Sequence, residues 1–265
     1  MVKVIVLGAA GRMGSNILKL VNEDNELELV GAVERADCPF IGEDASRFGG
    51  PKGIKLTGSL TDIAEKDTVI IDFTHIDATR EHINIAAYKS SPMVIGTTGF
   101  GTEEVKKIEE LAKKYFPCIL SPNMSLGVNV LFKLVSEAAK LLTDEYNVEI
   151  IEIHHRMKKD APSGTAVKLG QVVAEAFGWN YDEVAVYERK GIVGERKKNE
   201  IGMQTLRAGD VVGEHTVIFG GMGERVELTH KAHSRENFAR GAIRAAKWIY
   251  NKPKGFYTMK DVLGI

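Results

Sequence analysis

Val4-Ile-Val-Leu-Gly8-Ala-Ala-Gly11-Arg-Met-Gly14 decides the fold. A branched, apolar run suited to a buried strand ends at a glycine, two more glycines follow at three-residue spacing, and helical periodicity begins near residue 13. Glycine at a strand-to-helix turn permits a tight bend and close backbone approach. The helix N-terminus behind it offers unpaired N–H groups and a positive dipole end to a pyrophosphate. The spacing is GxxGxxG rather than GxGxxG. Twenty residues after Gly14, Glu34 closes a second strand, where a carboxylate can accept hydrogen bonds from adenosine ribose hydroxyls. Arg35 stands next to it and can pair with the extra phosphate of NADP or stack on adenine, so both NADH and NADPH are expected.

Working outward, short apolar strands are predicted at 3–7, 27–33, 69–73, 93–96 and 118–120. Helices are predicted from about 13 and over 77–90 and 103–115, where Lys106, Lys107, Lys113 and Lys114 fall mainly on the solvated face. Asp72-Phe-Thr-His75, Gly96-Thr-Thr-Gly99 and Ser121-Pro-Asn-Met124 each follow a strand, at the carboxyl edge where open α/β sheets bind ligands. After Asn123 the texture changes. A helix over 128–142, a strand over 148–153, a polar loop and a second helix precede extended segments at 203–207, 214–219 and 225–231. Gly220-Gly-Met-Gly223 turns between the last two. A final helix spans 236–250. The expected fold is α/β: an N-terminal Rossmann-like dinucleotide-binding domain at 1–125, to which 236–265 returns, and an α+β substrate and oligomerisation domain with a mixed β-sheet at 126–235. Chain crossings near 123–129 and 233–235 would suit a hinge.

The 265 residues are 44% hydrophobic and 27% charged with net charge −1, a balance that favours neither nucleic acid nor an acidic membrane as partner. Arg196-Lys-Lys198 reads as a solvated turn. Cys38 and Cys118 have no neighbouring Cys or His at ligand spacing, so neither a disulfide scaffold nor a structural zinc site is expected. No apolar run is long enough to cross a bilayer and no signal-peptide pattern opens the chain, so a soluble, cytoplasmic protein is expected.

The chemistry concentrates between Glu149 and Ala166, in Glu149-Ile-Ile-Glu-Ile-His-His-Arg-Met-Lys-Lys-Asp-Ala-Pro-Ser-Gly-Thr-Ala166. Adjacent strand residues face opposite ways, so His154 and His155 make a poor metal pair unless the strand ends there, and no metal is expected. An imidazole can donate a proton near neutral pH, and Lys158 can keep substrate anions close. Pro162 precedes Ser163-Gly164-Thr165, which open a helix whose first N–H groups suit a carboxylate or phosphate. An N-cap serving only its own helix is the plainer alternative, and both roles can coexist.

These stretches, with Asn123-Met-Ser-Leu-Gly-Val-Asn129 and Gly213-Glu-His-Thr216, resemble the dihydrodipicolinate reductase family over nearly the whole chain. The most specific element is His-His-x-x-Lys-x-Asp-Ala-Pro-Ser-Gly-Thr, matched from His154 to Thr165. The resemblance implies NADH- or NADPH-dependent reduction of a cyclic imine dicarboxylate in the diaminopimelate route to lysine, by a cytoplasmic homotetramer. It implies His154 as proton donor and Lys158 as second catalytic residue. It assigns substrate binding to His155, Gly164 and Thr165, with Arg235 a further candidate for a substrate carboxylate. Cofactor contacts are implied at Gly8, Ala9, Ala10, Gly11, Arg12, Met13, Glu34, Arg35, Gly96, Thr97, Thr98, Ser121, Pro122, Asn123 and Met124. The family often has Ala-Asn-Phe where this chain has Pro122-Asn-Met124. A reductase of aspartate or homoserine dehydrogenase type, or a silent dinucleotide sensor, would not require the histidine-lysine loop.

Overall fold

The computed structural model describes all 265 residues. Residues 1–126 and 235–265 form one compact unit and residues 127–234 another. In the first, β1 (Val2–Leu7) passes through the glycine turn into α1 (Arg12–Glu23). It continues with β2 (Leu27–Val33), β3 (Leu56–Thr57), β4 (Thr68–Asp72), α2 (Ile76–Lys89), β5 (Met93–Ile95), α3 (Thr102–Tyr115) and β6 (Pro117–Leu120). The second unit takes most of α4 (Leu126–Leu142), then β7 (Asn147–His154), α5 (Gly164–Phe177), α6 (Tyr181–Val184), β8 (Ala185–Val186), β9 (Ile201–Arg207), β10 (Gly213–Gly220) and β11 (Arg225–Ala232). The chain then returns to the first unit as α7 (Glu236–Ile249), β12 (Gly255–Tyr257) and α8 (Met259–Leu263).

The first unit is an α/β layer structure around a seven-stranded sheet, in the order β12-β6-β5-β4-β1-β2-β3, with every pairing parallel. Alternation along the strands divides its core. Val4 and Val6 join Ile17, Leu18 and Ile243 on one face, while Ile5 and Leu7 join Ile83 and Ile108 on the other. Burial on both faces explains why these strands read as continuous apolar runs. At the turn Gly8 adopts φ +70°, and a Cβ on Gly14 would stand only 2.0 Å from the Gly8 carbonyl oxygen, so α1 packs on β1 at a distance only glycine allows. Lys106, Lys107, Lys113 and Lys114 are all exposed on α3.

The second unit carries a mixed sheet, β11-β10-β7-β9-β8, with β10 antiparallel to both neighbours and β7, β9 and β8 mutually parallel. Val148 and Ile150 of β7, with Met203, Val217 and Phe219, pack against α4 and α5. The opposite parity faces away from that core. There Glu149 receives a forked ion pair from Arg189, Nη1 to Oε2 at 2.9 Å and Nη2 to Oε1 at 3.0 Å, and a third bond from Arg196 Nε at 3.2 Å. The carboxylate lies over Gly202 on β9, where a Cβ would meet Oε2 at 1.8 Å. Arg196 therefore departs from the expected solvated turn. Its guanidinium also bonds Asn147 Oδ1 and the Val148 carbonyl, which ties the segment between β8 and β9 to the sheet.

Each element expected from the sequence pattern is present to within two residues at most ends, whereas the four-residue α6 has no expected counterpart. Two-residue β3 and β8 are too short to carry periodicity, and the chain after 250 adds β12 and α8 beyond the last helix expected. No helix is long and apolar enough to cross a membrane. Gly14→Ala should destabilise the first unit by about 1–3 kcal/mol through overpacking, measured as a lowered urea midpoint; an unchanged midpoint would show that α1 can move outward freely.

Candidate active site

Two groups of predicted site residues assemble, one within each unit. In the first, a cavity of about 560 Å³ opens at the carboxyl edge of the sheet, lined by Gly8, Gly11, Glu34, Arg35, Thr74 and His82 among others. Gly11 is the N-cap of α1 and supplies no side-chain hydrogen bond, and no acid occupies the first turn, so this helix end retains its donors and its positive character. Glu34 Oε2 accepts the Ala10 N–H at 3.1 Å and Oε1 accepts the Arg35 N–H at 3.2 Å, which fixes the carboxylate beside the turn with lone pairs to spare. Arg12 and Arg35 are exposed, and Arg35 meets only Asp37, at 3.6 Å. A glycine cradle, an uncapped helix end, a fixed carboxylate and exposed cations together fit a dinucleotide.

Other residues of this group play inward roles. Ala9 is buried in the core, Ala10 and Met13 are packed against it, and Met124 is a core side chain whose carbonyl oxygen would lie 1.8 Å from a Cβ on Gly241 of α7. Gly96 makes room for the Phe73 ring, 2.2 Å from where its Cβ would be. The buried Thr97 hydroxyl accepts from the Thr74 N–H at 3.1 Å and from Thr79 Oγ1 at 2.9 Å, while Thr98 is exposed. Ser121 Oγ donates to the Asn123 carbonyl, Asn123 Oδ1 accepts the Ser125 N–H, and Pro122 is exposed. Beneath these loops lies Asp72, fully buried, which accepts from Thr74 Oγ1 at 2.6 Å and pairs with His82 Nδ1 at 2.8 Å. Arg235 stands in this unit as the N-cap of α7, with no side-chain cap bond.

In the second unit β7 ends at His154, so the two histidines part company: His154 is buried on the core face, and His155 lies half-buried beyond the strand. His154 Nδ1 meets Glu152 Oε2 at 2.5 Å. Glu152 is 1% exposed and also accepts from the Ser163 N–H at 3.0 Å, from Arg207 Nη1 and Nη2 at 2.9 and 3.0 Å, and from Thr205 Oγ1 at 3.3 Å. Burial alone would raise the Glu152 carboxyl, but the bonds from His154, Arg207 and Ser163 outweigh it and hold the group at about 2, ionised at any working pH. Lys158 pairs with Asp160 at 2.9 Å, its own loop turned by a Lys158 N–H bond to the His155 carbonyl.

Ser163 caps α5, its Oγ accepting the Ala166 N–H at 3.2 Å and sharing a hydrogen with His215 Nε2 at 2.9 Å. The helix end at Gly164 and Thr165 follows directly, with Gly164 exposed and Thr165 half-buried. The His215 ring stands edge-on to His154, centroids 5.1 Å apart. Burial first, then the neighbouring His154, push His215 down to about 3, so it sits there as a neutral imidazole. No cluster of three or more His, Cys, Asp or Glu side chains is arranged to hold a metal.

The sequence alone assigns no role to Glu152, Arg207, His215 or His82. Period-two alternation in β7 offered the one readable signal, since Glu152 and His154 share a face with buried Val148 and Ile150. Arg207 and His215 reach the site only through strand pairing, which aligns Glu152 with Thr205 on one side and His215 on the other.

Family models of dihydrodipicolinate reductase match the chain almost end to end, the N-terminus over residues 2–124 and the C-terminus over residues 127–263. The chain belongs to the dihydrodipicolinate reductase family. A 4-hydroxy-tetrahydrodipicolinate reductase of Syntrophus aciditrophicus is 54% identical over 266 residues, covering 100% of this chain and 99% of that protein. One from Syntrophobacter fumaroxidans is 51% identical, with 100% of both chains covered. Among solved structures, a dipicolinate-bound dihydrodipicolinate reductase from Paenisporosarcina sp. TG-14 aligns with a TM-score of 0.74 at 27% identity, covering 97% of each chain. As a member of the dihydrodipicolinate reductase family, the chain is an NAD(P)H-dependent oxidoreductase.

His215 gives the site an acid liability. Its folded value lies below its unfolded one, so its contribution is complete above about pH 6.5 and is lost as pH falls from there toward 3. Glu152 adds a second loss only below its unfolded value of 4.5. His215→Gln should therefore lose less stability than wild type between pH 7 and pH 5 in urea unfolding; equal losses would place the acid sensitivity elsewhere.

Proposed function

We propose that this chain reduces 4-hydroxy-tetrahydrodipicolinate, by way of dihydrodipicolinate, to tetrahydrodipicolinate, in the diaminopimelate route to lysine. The first unit serves as dinucleotide domain, and the second as the substrate and tetramer-forming domain of a cytoplasmic enzyme. The observation that carries this reading is the Glu152–His154 pair at the end of β7, buried beside a capped helix end and one short loop from Lys158.

The substrate carries two carboxylates and a conjugated ring nitrogen. The first amides of α5 at Gly164 and Thr165, the Thr165 hydroxyl and the His155 ring are suited to grip one carboxylate, where helix dipole and hydrogen bonds act together. His155 Nδ1 is buried with no partner in the protein. Lys158 supplies a positive charge for the anionic ring, and Arg235 is a further candidate for the other carboxylate. Binding both ends of a rigid ring fixes its orientation, which can remove several kcal/mol of barrier. Reduced nicotinamide, when bound, supplies the hydride. The protein's part is then to deliver a proton to the enamine that results, and His154 is assigned that role from Nε2, the nitrogen opposite its bond to Glu152.

Gly8 through Met13 offer the glycine cradle to the pyrophosphate, and Glu34 the ribose contact. Gly96, Thr97, Thr98 and the segment from Ser121 to Met124 contribute chiefly backbone, since Thr97 and Met124 are turned inward. Arg35 is placed at the same cavity and carries the choice between NADH and NADPH.

Loss of NADH absorbance, with substrate formed in situ from pyruvate and aspartate semialdehyde, tests the activity; no oxidation above background rejects it. In that assay His154→Gln should lower kcat by on the order of 10²-fold or more with a smaller effect on KM, whereas Thr165→Ala should mainly raise KM, by about tenfold. An unchanged kcat removes His154 as the acid. Arg35→Ala should weaken NADPH by about tenfold and NADH less, read by titrating each cofactor calorimetrically; equal losses would sink the phosphate-pairing role.

A further inference from the structure

Glu152 touches both halves of the catalytic loop. We infer that it is the positioning residue that joins the proton donor to the anion-binding helix end, with Arg207 as the counter-ion that lets it do so. The inference rests on the reading of His154 as proton donor and goes beyond it, because it names what makes that donor competent and what makes its state depend on the α5 terminus.

Four observations lead there. An ionised carboxylate only accepts hydrogen bonds, so Oε2 at 2.5 Å requires a proton on His154 Nδ1, and delivery from Nε2 then uses the second proton of the doubly protonated ring, for which Glu152 is the counter-ion. The other oxygen accepts the N–H of Ser163, whose own side chain caps α5, so one carboxylate fixes both the imidazole and the first turn of the helix offered to the substrate. Arg207 grips both oxygens in a fork, and its Nη2 also reaches the Asp160 carbonyl at 2.6 Å, which closes the loop between the two halves. Nη1 also bonds the Leu206 carbonyl at 2.7 Å, while Nε is buried with no partner, so both terminal nitrogens of the fork are engaged.

The surroundings hold the ring without competing for Nε2. His215 stacks edge-on and is bonded through its own Nε2 to Ser163. Gly213 on β10 leaves clearance, since a Cβ there would come within 3.0 Å of His154 Nε2. Substrate carboxylate arriving at Gly164 and Thr165 pulls on the turn that begins at Ser163, and Ser163 shares its acceptor with His154. Anion binding and proton delivery are thereby coupled through one side chain.

Histidine-ring nitrogen NMR on the wild-type enzyme is the first test. His154 should carry a hydrogen-bonded proton on Nδ1; a neutral ring protonated only on Nε2 overturns the proposal with no variant needed. Glu152→Gln should then remove the strongly hydrogen-bonded Nδ1 proton and disfavour the doubly protonated His154 ring that delivers from Nε2, lower kcat by on the order of 10²-fold, and weaken binding of the probe pyridine-2,6-dicarboxylate severalfold. Because Glu152→Gln leaves Arg207 unpaired and can unfold, the Glu152→Gln, Arg207→Gln double variant removes both charges. It should fold with native circular dichroism yet show the same loss of the Nδ1 proton and the same kcat loss. Glu152→Asp, which keeps the charge, should recover part of the rate. A folded variant lacking the carboxylate that keeps the Nδ1 proton, or keeps kcat within about threefold of wild type, overturns the proposal. If His154→Gln loses kcat while the Glu152 variants do not, only the positioning role falls; if His154→Gln is fully active, the donor assignment itself falls.

Discussion

A carboxylate sealed from water must find its hydrogen bonds in the protein, and Glu152 takes five from four residues on three separate stretches of chain. That requirement organises the second unit. It brings the end of β9 against the end of β7, fixes the first turn of α5, and leaves the intervening loop little freedom where Ser163 and Asp160 are gripped. Leaving any one donor out would cost more than its single bond is worth, because the charge would stay buried. The group that makes the loop rigid is thus the one that would be most damaging to bury alone.

The first unit meets a different constraint by omission. Where α1 meets β1, the missing side chain at Gly14 lets helix and strand approach, and the positive φ at Gly8 turns the chain between them. The helix end then faces outward with its amides uncapped, next to a carboxylate fixed by backbone N–H bonds. Both units therefore present a helix N-terminus beside a defined charge, but the first leaves its terminus bare and the second caps it at Ser163.

Much of this was legible in the residues themselves. The glycine turn, the βα alternation and the loop from His154 to Thr165 are local patterns, and local patterns survive without coordinates. The same holds for Glu34, whose distance from Gly14 reflects one helix and one strand. Arg207 and His215 were not legible, because they reach Glu152 across the sheet, and strand order in a mixed sheet is set by packing rather than by neighbouring sequence. Arg196 misled for a related reason: a basic run looks solvated until a half-buried partner such as Glu149 is placed opposite it. Thr97 and Met124 show the converse, lying in loops at the carboxyl edge of the sheet while their side chains are buried.

Glu149 and Glu152 stand three residues apart on one strand and serve opposite faces, the first holding the segment before β9 through two arginines, the second holding His154. With one residue inserted or removed between them, both carboxylates could no longer reach their partners at once, since a single step inverts the parity of everything beyond it. The strand is in this sense a reading frame. Two residues would restore the parity but carry Glu152 about 7 Å along the strand, so any change of length in β7 would be felt on both sides of the sheet together.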